Sequence, residues 1–250
     1  MLTIKYKIQK PSKDISEFVE SFWVLENLSD QDKELVVIPD GRVDVFFYCS
    51  PSEPFCVLLM GLELQPAIRI MKAKAKIFAI SLNLLAVEYL LEEKISDIIN
   101  MAKSLPDGFL GISADDLESF DSFCAKAALM IRLKANFNVD DRKRKLFELI
   151  YTSSGTYTVK ELSEAVFWTS RQINRYFTQF YGVSLKTYCN ILRFKASLSQ
   201  LKHGNLYPVE NFFDQAHFIR NVRKFAGVVP TELSKNKNDR FIQLSVLLKQ

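Results

Sequence analysis

Shifted by 45 residues against itself, the sequence brings RYFTQFYGV (175–183) onto RNVRKFAGV (220–228). Arg175 falls on Arg220, Phe180 on Phe225, Gly182 on Gly227, Val183 on Val228, and Ile173 on Phe218. In each copy the apolar residues, at 173, 177 and 180 and at 218, 222 and 225, recur at helical spacing. Each copy therefore predicts a helix with a narrow stripe turned to a core. The opposite face carries Arg171, Arg175 and Thr178 in the first copy and Arg220, Arg223 and Lys224 in the second. A glycine follows each run and suits a left-handed C-cap. A duplicated unit of this kind is either an ordinary solvated surface or a pair of helices laid against something anionic.

The segment ahead of the first copy, TVKELSEAVFWTSRQINRYF (158–177), narrows that choice. Thr158 or Thr156 can cap a short helix, with Glu161 three residues after Thr158 in capping-box spacing. Leu162, Ala165 and Val166 would give that helix its core contacts. FWTS makes a short turn, and Thr169 or Ser170 caps the helix beyond it. Two helices around a tight turn, the second with polar and basic residues outward, make a helix-turn-helix. A major groove admits one helix, is walled by phosphates, and displays base edges that Arg, Gln, Asn and His side chains can bond. Two such units in one chain could contact groove segments about 34 Å apart, one turn of the duplex.

Charge divides the chain in the same sense. Residues 1–138 hold 15 Lys and Arg against 20 Asp and Glu, whereas residues 139–250 hold 18 against 9. An acidic front and a basic back predict two domains, 1–138 and 139–250, with different partners. The polar stretch NFNVDDRKRKL (136–146) is the expected linker, and everything from Asp141 onward reads helical.

The front half reads as strands followed by helices. Strands are predicted over 2–9, 18–26, 43–49, 55–60, 66–71 and 76–82, with a turn at Ile38-Pro39-Asp40-Gly41. Helices are predicted over 84–103 and 116–134. In the second, Leu117, Phe120, Phe123, Cys124, Ala127, Met130 and Ile131 make one apolar face, suited to closing a barrel or meeting a second copy. Trp23, Phe22, Phe46, Phe47 and Tyr48 either line a pocket for a small effector or simply fill the barrel. The fold class is thus an α+β N-terminal domain, β-rich with trailing helices. It is followed by an all-α domain holding two helix-turn-helix units joined by a long helix near 186–202.

SRQINRYFTQFYGVSLKTYCNILRFKASLSQL (170–201) and FFDQAHFIRNVRKFAGVVPTEL (212–233) resemble the DNA-binding domain of AraC/XylS-type transcription regulators. More loosely, FWVLE, VVIPDGRVDVFFY and MGL in the front half resemble the β-rich domain of a subgroup of those proteins. The resemblance implies sequence-specific binding of double-stranded DNA. Ser170, Arg171, Gln172, Asn174 and Arg175 would contact it in the first unit, and Gln215, His217, Arg220, Asn221 and Lys224 in the second. Gln172, Asn174 and His217 are equally suited to capping. Further partners in this reading are a small-molecule effector, RNA polymerase and a second copy of the chain, in a cytoplasmic setting without membrane. One stretch departs from the pattern. NLYPVENFF (205–213) puts Pro208 inside the second scaffold helix and Asn211 where the family has glycine. Proline within a helix costs about 3 kcal/mol, so that helix is expected to be shortened or to begin at Pro208.

An alternative is a protein-interaction module whose basic half binds an acidic partner. An enzyme is not expected: there are two histidines, His203 and His217, and no phosphate-binding glycine loop among eight glycines. Neither a cofactor nor a metal is expected. The four cysteines lack CxxC spacing and read as reduced thiols.

Overall fold

The computed structural model describes residues 4–206, 214–237 and 240–247. The expected break at Pro208 and Asn211 lies outside the described residues.

Six strands form one antiparallel sheet in the order β1-β2-β7-β4-β5-β8. They are β1 (Ile4–Gln9), β2 (Val19–Asn27), β4 (Val43–Cys49), β5 (Cys56–Met60), β7 (Lys76–Leu82) and β8 (Ala102–Leu105). Two more, β3 (Lys33–Val37) and β6 (Ala67–Met71), pair separately. Strand alternation sends Phe22 and Val24 of β2, Val45 and Phe47 of β4, and Phe78 and Ile80 of β7 to one face, where registers align them in rows. Helix α2 (Phe120–Lys134), capped by Ser119, covers that face. Its Phe123 ring lies 5.3 Å from Phe78, 5.5 Å from Phe47 and 6.5 Å from Phe22. The apolar face predicted for 116–134 thus serves the core: Phe120, Phe123, Cys124, Ala127 and Ile131 are buried, and Met130 is half-buried. It covers an open sheet and does not close a barrel.

The prediction of one helix over 84–103 is corrected. Helix α1 (Leu84–Tyr89) stops after six residues. Glu92 and Asn100 take left-handed backbone, with φ of 54° and 55°, and such residues cannot continue a right-handed helix. The chain then enters β8, where Ala102 and Leu105 face Met60 and Val57 of β5. Strand pairing overrides the helical pattern there.

The second unit holds helices α3 (Asp141–Thr152), α4 (Val159–Val166), α5 (Ser170–Tyr181), α6 (Leu185–Lys202), α7 (Gln215–Ala226), α8 (Pro230–Lys235) and α9 (Ile242–Leu247). The grouping is not contiguous in sequence. Glu34–Gly41 and Leu62–Arg69 cluster with the residues from Asp140 onward, while the rest of the front half forms the first unit. Hydrogen bonding explains the first inclusion. Val36 N–H donates to the Arg240 carbonyl at 2.7 Å, Gln243 exchanges two bonds with the Ile38 backbone, and the Tyr188 hydroxyl donates to the Gly41 carbonyl at 3.0 Å.

α6 is the spine of this unit. Its buried residues include Leu185, Tyr188, Cys189, Ile191, Phe194, Leu198 and Leu201, too many for a one-sided surface helix. Toward its start, Phe177 and Tyr188 join a cluster with Phe147, Tyr176 and Tyr181. Farther along, Ile191, Phe194 and Leu198 share a second core with Phe218, Val222, Phe225, Leu233 and Ile38. The Tyr176 and Tyr181 hydroxyls bond each other at 2.7 Å and are buried, so both tyrosines are packing groups.

α3 begins at Asp141, where the sequence starts to read helical, so only 136–140 of the expected linker lies outside it, and Asp140 caps the helix. The Asp140 carboxylate accepts from the Arg142 N–H at 2.8 Å and from its guanidinium at 2.8 Å. That guanidinium holds the carboxyl down, from 3.8 to about 2. A lowered folded-state pKa means stabilisation that is complete above the unfolded value and lost as pH falls through the folded one. Asp140→Ala is expected to cost about 1 kcal/mol at neutral pH. In urea titrations the difference should shrink as pH drops through about 4 toward about 2. A cost independent of pH would show that the carboxylate charge contributes nothing.

Candidate nucleic-acid interface

The repeat seen in sequence is a repeat in structure. α5 and α7 each have twelve residues and start and stop 45 positions apart. Thr169 caps α5 by accepting from the Gln172 N–H, and Asp214 caps α7 by accepting from the His217 N–H at 2.6 Å. Each helix ends at a left-handed glycine, Gly182 at φ 71° and Gly227 at φ 73°. Each glycine N–H bonds back to the carbonyl four residues earlier. α6 and α8 then begin at equivalent positions.

Burial repeats as well. Ile173, Tyr176, Phe177 and Tyr181 face inward on α5, as Phe218, Asn221, Val222 and Ala226 do on α7. Ser170, Arg171, Arg175, Thr178 and Gln179 face outward, matched by Gln215, Ala216, Arg220, Arg223 and Lys224. The two outer faces are therefore built alike.

The predicted contact residues divide on this frame. Ser170, Arg171 and Arg175 are exposed on the outer face of α5, and Gln215, Arg220 and Lys224 on that of α7. Gln172 is exposed, but its Oε1 accepts from the Thr169 N–H at 2.8 Å and hydroxyl at 2.9 Å, closing a capping box. Asn174 is half-buried and tied at both ends: its amide donates to the Ser170 carbonyl at 2.9 Å and its Oδ1 accepts from the Leu185 N–H at 3.3 Å. It links α5 to the start of α6. His217 is half-buried. Asn221 is removed from the outer face. It is 8% exposed and its amide donates to the His217 carbonyl at 3.0 Å. Its position equals that of Tyr176, on the inward stripe. Arg223, named in the cationic face but not among the contact residues, is exposed on the outer face of α7, as Thr178 and Gln179 are on that of α5.

The charge on this face is available. Outside α5 and α7, arginines hold carboxylates: Arg42 with Glu20, Arg69 with Glu63, Arg132 with Asp14, Arg142 with Asp140, Arg144 with Asp141 and Arg240 with Glu232. Half-buried Arg193 bonds Asn190 instead. Among the described residues, Arg171, Arg175, Arg220 and Arg223 have no carboxylate partner, and all four stand on the two repeated faces.

α4 and α5 are joined by Phe167–Thr169, and the joint is fixed by its surroundings. The Ser163 hydroxyl donates to the Trp168 carbonyl at 2.6 Å. The Trp168 ring sits 5.7 Å from Tyr176, with the Arg142 guanidinium 5.2 Å from its centroid. Thr158 and Glu161 form the capping box predicted for α4. FWTS forms the turn that the sequence predicts, and it leaves Phe167 exposed. Val166, Phe167 and Trp168 are three successive large apolar residues, which one short turn cannot bury together.

Among the described residues there is no group of three or more His, Cys, Asp or Glu placed to hold a metal, and no helix long and apolar enough to cross a membrane. Residues 7–104 match a family model described as a domain of unknown function, DUF6597. No curated protein matches the sequence. Solved structures similar to the chain include ToxT from Vibrio cholerae in a P21 crystal form, with TM-score 0.43 and 10% identity over 93% of this chain and 98% of that one. ToxT from Vibrio cholerae O395 bound to (E)-4-(8-methylnaphthalen-1-yl)but-3-enoic acid gives 0.42 and 12% over 97% and 99%. Unsaturated fatty acid bound ToxT from Vibrio cholerae strain SCE256 gives 0.41 and 12% over 92% and 93%.

Proposed function

We propose that this chain is a sequence-specific DNA-binding transcription regulator whose α5 and α7 read two successive major-groove segments. The observation that carries the reading is the set of four arginines without carboxylate partners on two faces that repeat at 45-residue spacing. Arginine's planar fork suits both phosphate and the N7 and O6 edge of guanine. A solvated face of the ordinary kind would carry carboxylates among its cations, as α3 does with Asp141 and Glu148. α5 carries none, and α7 has only its capping Asp214 before it.

The first unit is the proposed regulatory part. On the sheet face away from α2, Trp23 stands 5.2 Å from Phe46 and 6.1 Å from Tyr6, and its indole N–H donates to Ser81 at 2.9 Å. These half-buried aromatics suit a small apolar effector.

Fluorescence titration of the full chain with duplexes selected from a random pool tests the regulator reading. Expected is selective binding whose log K falls with log [salt] at about −0.9 per phosphate contact. Binding to a polyanionic protein surface as tight as to any duplex, with no preferred sequence, would instead make this a protein-interaction module.

A further inference from the structure

Phe167 combines two unfavourable features at one residue. It is 91% exposed, the most exposed of the large apolar side chains in the described residues. It also takes left-handed backbone, with φ 54° and ψ 35°, as the C-cap of α4. Glycine holds that conformation without strain, whereas an aromatic residue does not. The backbone follows from the turn, where the Phe167 N–H bonds back to the Ser163 carbonyl to end α4, but nothing there calls for a large apolar side chain. Its neighbours Val166 and Trp168 are held inward, Val166 in the core and Trp168 between Arg142 and Tyr176. No ring contact engages Phe167 among the described residues.

Its place gives those features a use. Phe167 stands two residues before the cap Thr169, at the N-terminal end of α5. In a helix-turn-helix that end carries the residues that meet base edges. In a major groove the apolar feature is the C5-methyl of thymine, for which phenylalanine is a suitable contact. The geometry points to Phe167 as a specificity-determining residue that packs on a thymine methyl beside the groove segment read by Arg171 and Arg175. This rests on the proposed DNA-reading function and adds to it an apolar contact from the turn.

The test uses the full chain and a duplex selected by it from a random-sequence pool. Each thymidine is replaced singly by deoxyuridine, which removes only the methyl. The wild-type chain should lose about fourfold in affinity at one position, the effect of one buried methyl. Phe167→Gly should bind the parent duplex more weakly and be indifferent to that replacement. Its Tm should rise by roughly 3 °C, because the strained backbone is relieved; lost affinity then cannot be laid to instability. If Phe167→Gly binds the parent duplex as tightly as wild type, or both proteins lose equally at every replacement, the assignment to Phe167 is overturned. Arg175→Ala separates the two levels. Loss with Arg175→Ala but none with Phe167→Gly removes the turn contact and leaves the reading helices. No loss with either removes DNA reading by α5, and the turn contact with it.

Discussion

Arg175→Ala and Arg220→Ala should each weaken binding to a selected duplex by roughly 1–3 kcal/mol while weakening binding to random duplex far less. Both side chains are exposed, neither holds a carboxylate, and they are equivalent by the 45-residue shift. A residue that only neutralises phosphate lowers specific and non-specific binding alike and reduces the salt slope by about one contact. A residue that bonds a base edge lowers the specific term alone and relaxes preference at one position. Arg132→Ala is the internal control. Arg132 is also exposed but is held by Asp14, whose carboxyl its guanidinium lowers to about 2. Removing it should leave DNA affinity unchanged. Equal losses for Arg175→Ala on selected and random duplex would demote it to a phosphate contact.

Gly155→Ala should destabilise the helical unit by about 3 kcal/mol, a fall in Tm of roughly 10 °C. Gly155 ends the turn after α3 with φ 73°. A Cβ there would lie 2.5 Å from the Cys189 carbonyl oxygen and 2.9 Å from the Cys189 Cα, both backbone atoms of α6. Strain and collision add, because α6 is buried along its length and has nowhere to move. Gly204→Ala isolates the first effect. Gly204 has φ 83° and nothing within 4 Å of the added Cβ, so only about 1 kcal/mol of backbone strain is expected. Thermal unfolding of the two variants separates strain from overlap. Similar small shifts for both would mean that the α3–α4 turn does not press on α6 as described.

What could be read from the sequence follows from how local each signal is. The repeat, the helix caps and the C-cap glycines are local: the repeat and the glycines reappear where predicted, and of the residues offered as caps Thr158 and Thr169 serve. Strands with a strong local signal also reappear, such as the β-branched and aromatic run Val43–Cys49. β8 was not legible, because AKSL has no strand pattern of its own and is ordered by pairing with β5. The grouping of 34–41 and 62–69 with the helices depends on bonds such as Val36 to Arg240, which no spacing foretells. Asn221 is different. It lies three residues after Phe218 and four before Phe225, so helical spacing already put it on the inward stripe. The resemblance counted it as a contact, whereas the local bond to the His217 carbonyl lets an amide sit on the buried stripe. Gln172 and Asn174 show the same competition, resolved toward capping because each has a backbone donor within reach.

A hydroxyl-radical footprint of the full chain on its selected duplex weighs the duplicated-helix account as a whole. Two protected segments about one helical turn apart, roughly 34 Å, are predicted. Arg175→Ala should fade one segment and Arg220→Ala the other. A single protected segment, or protection that both variants leave intact, would contradict the account.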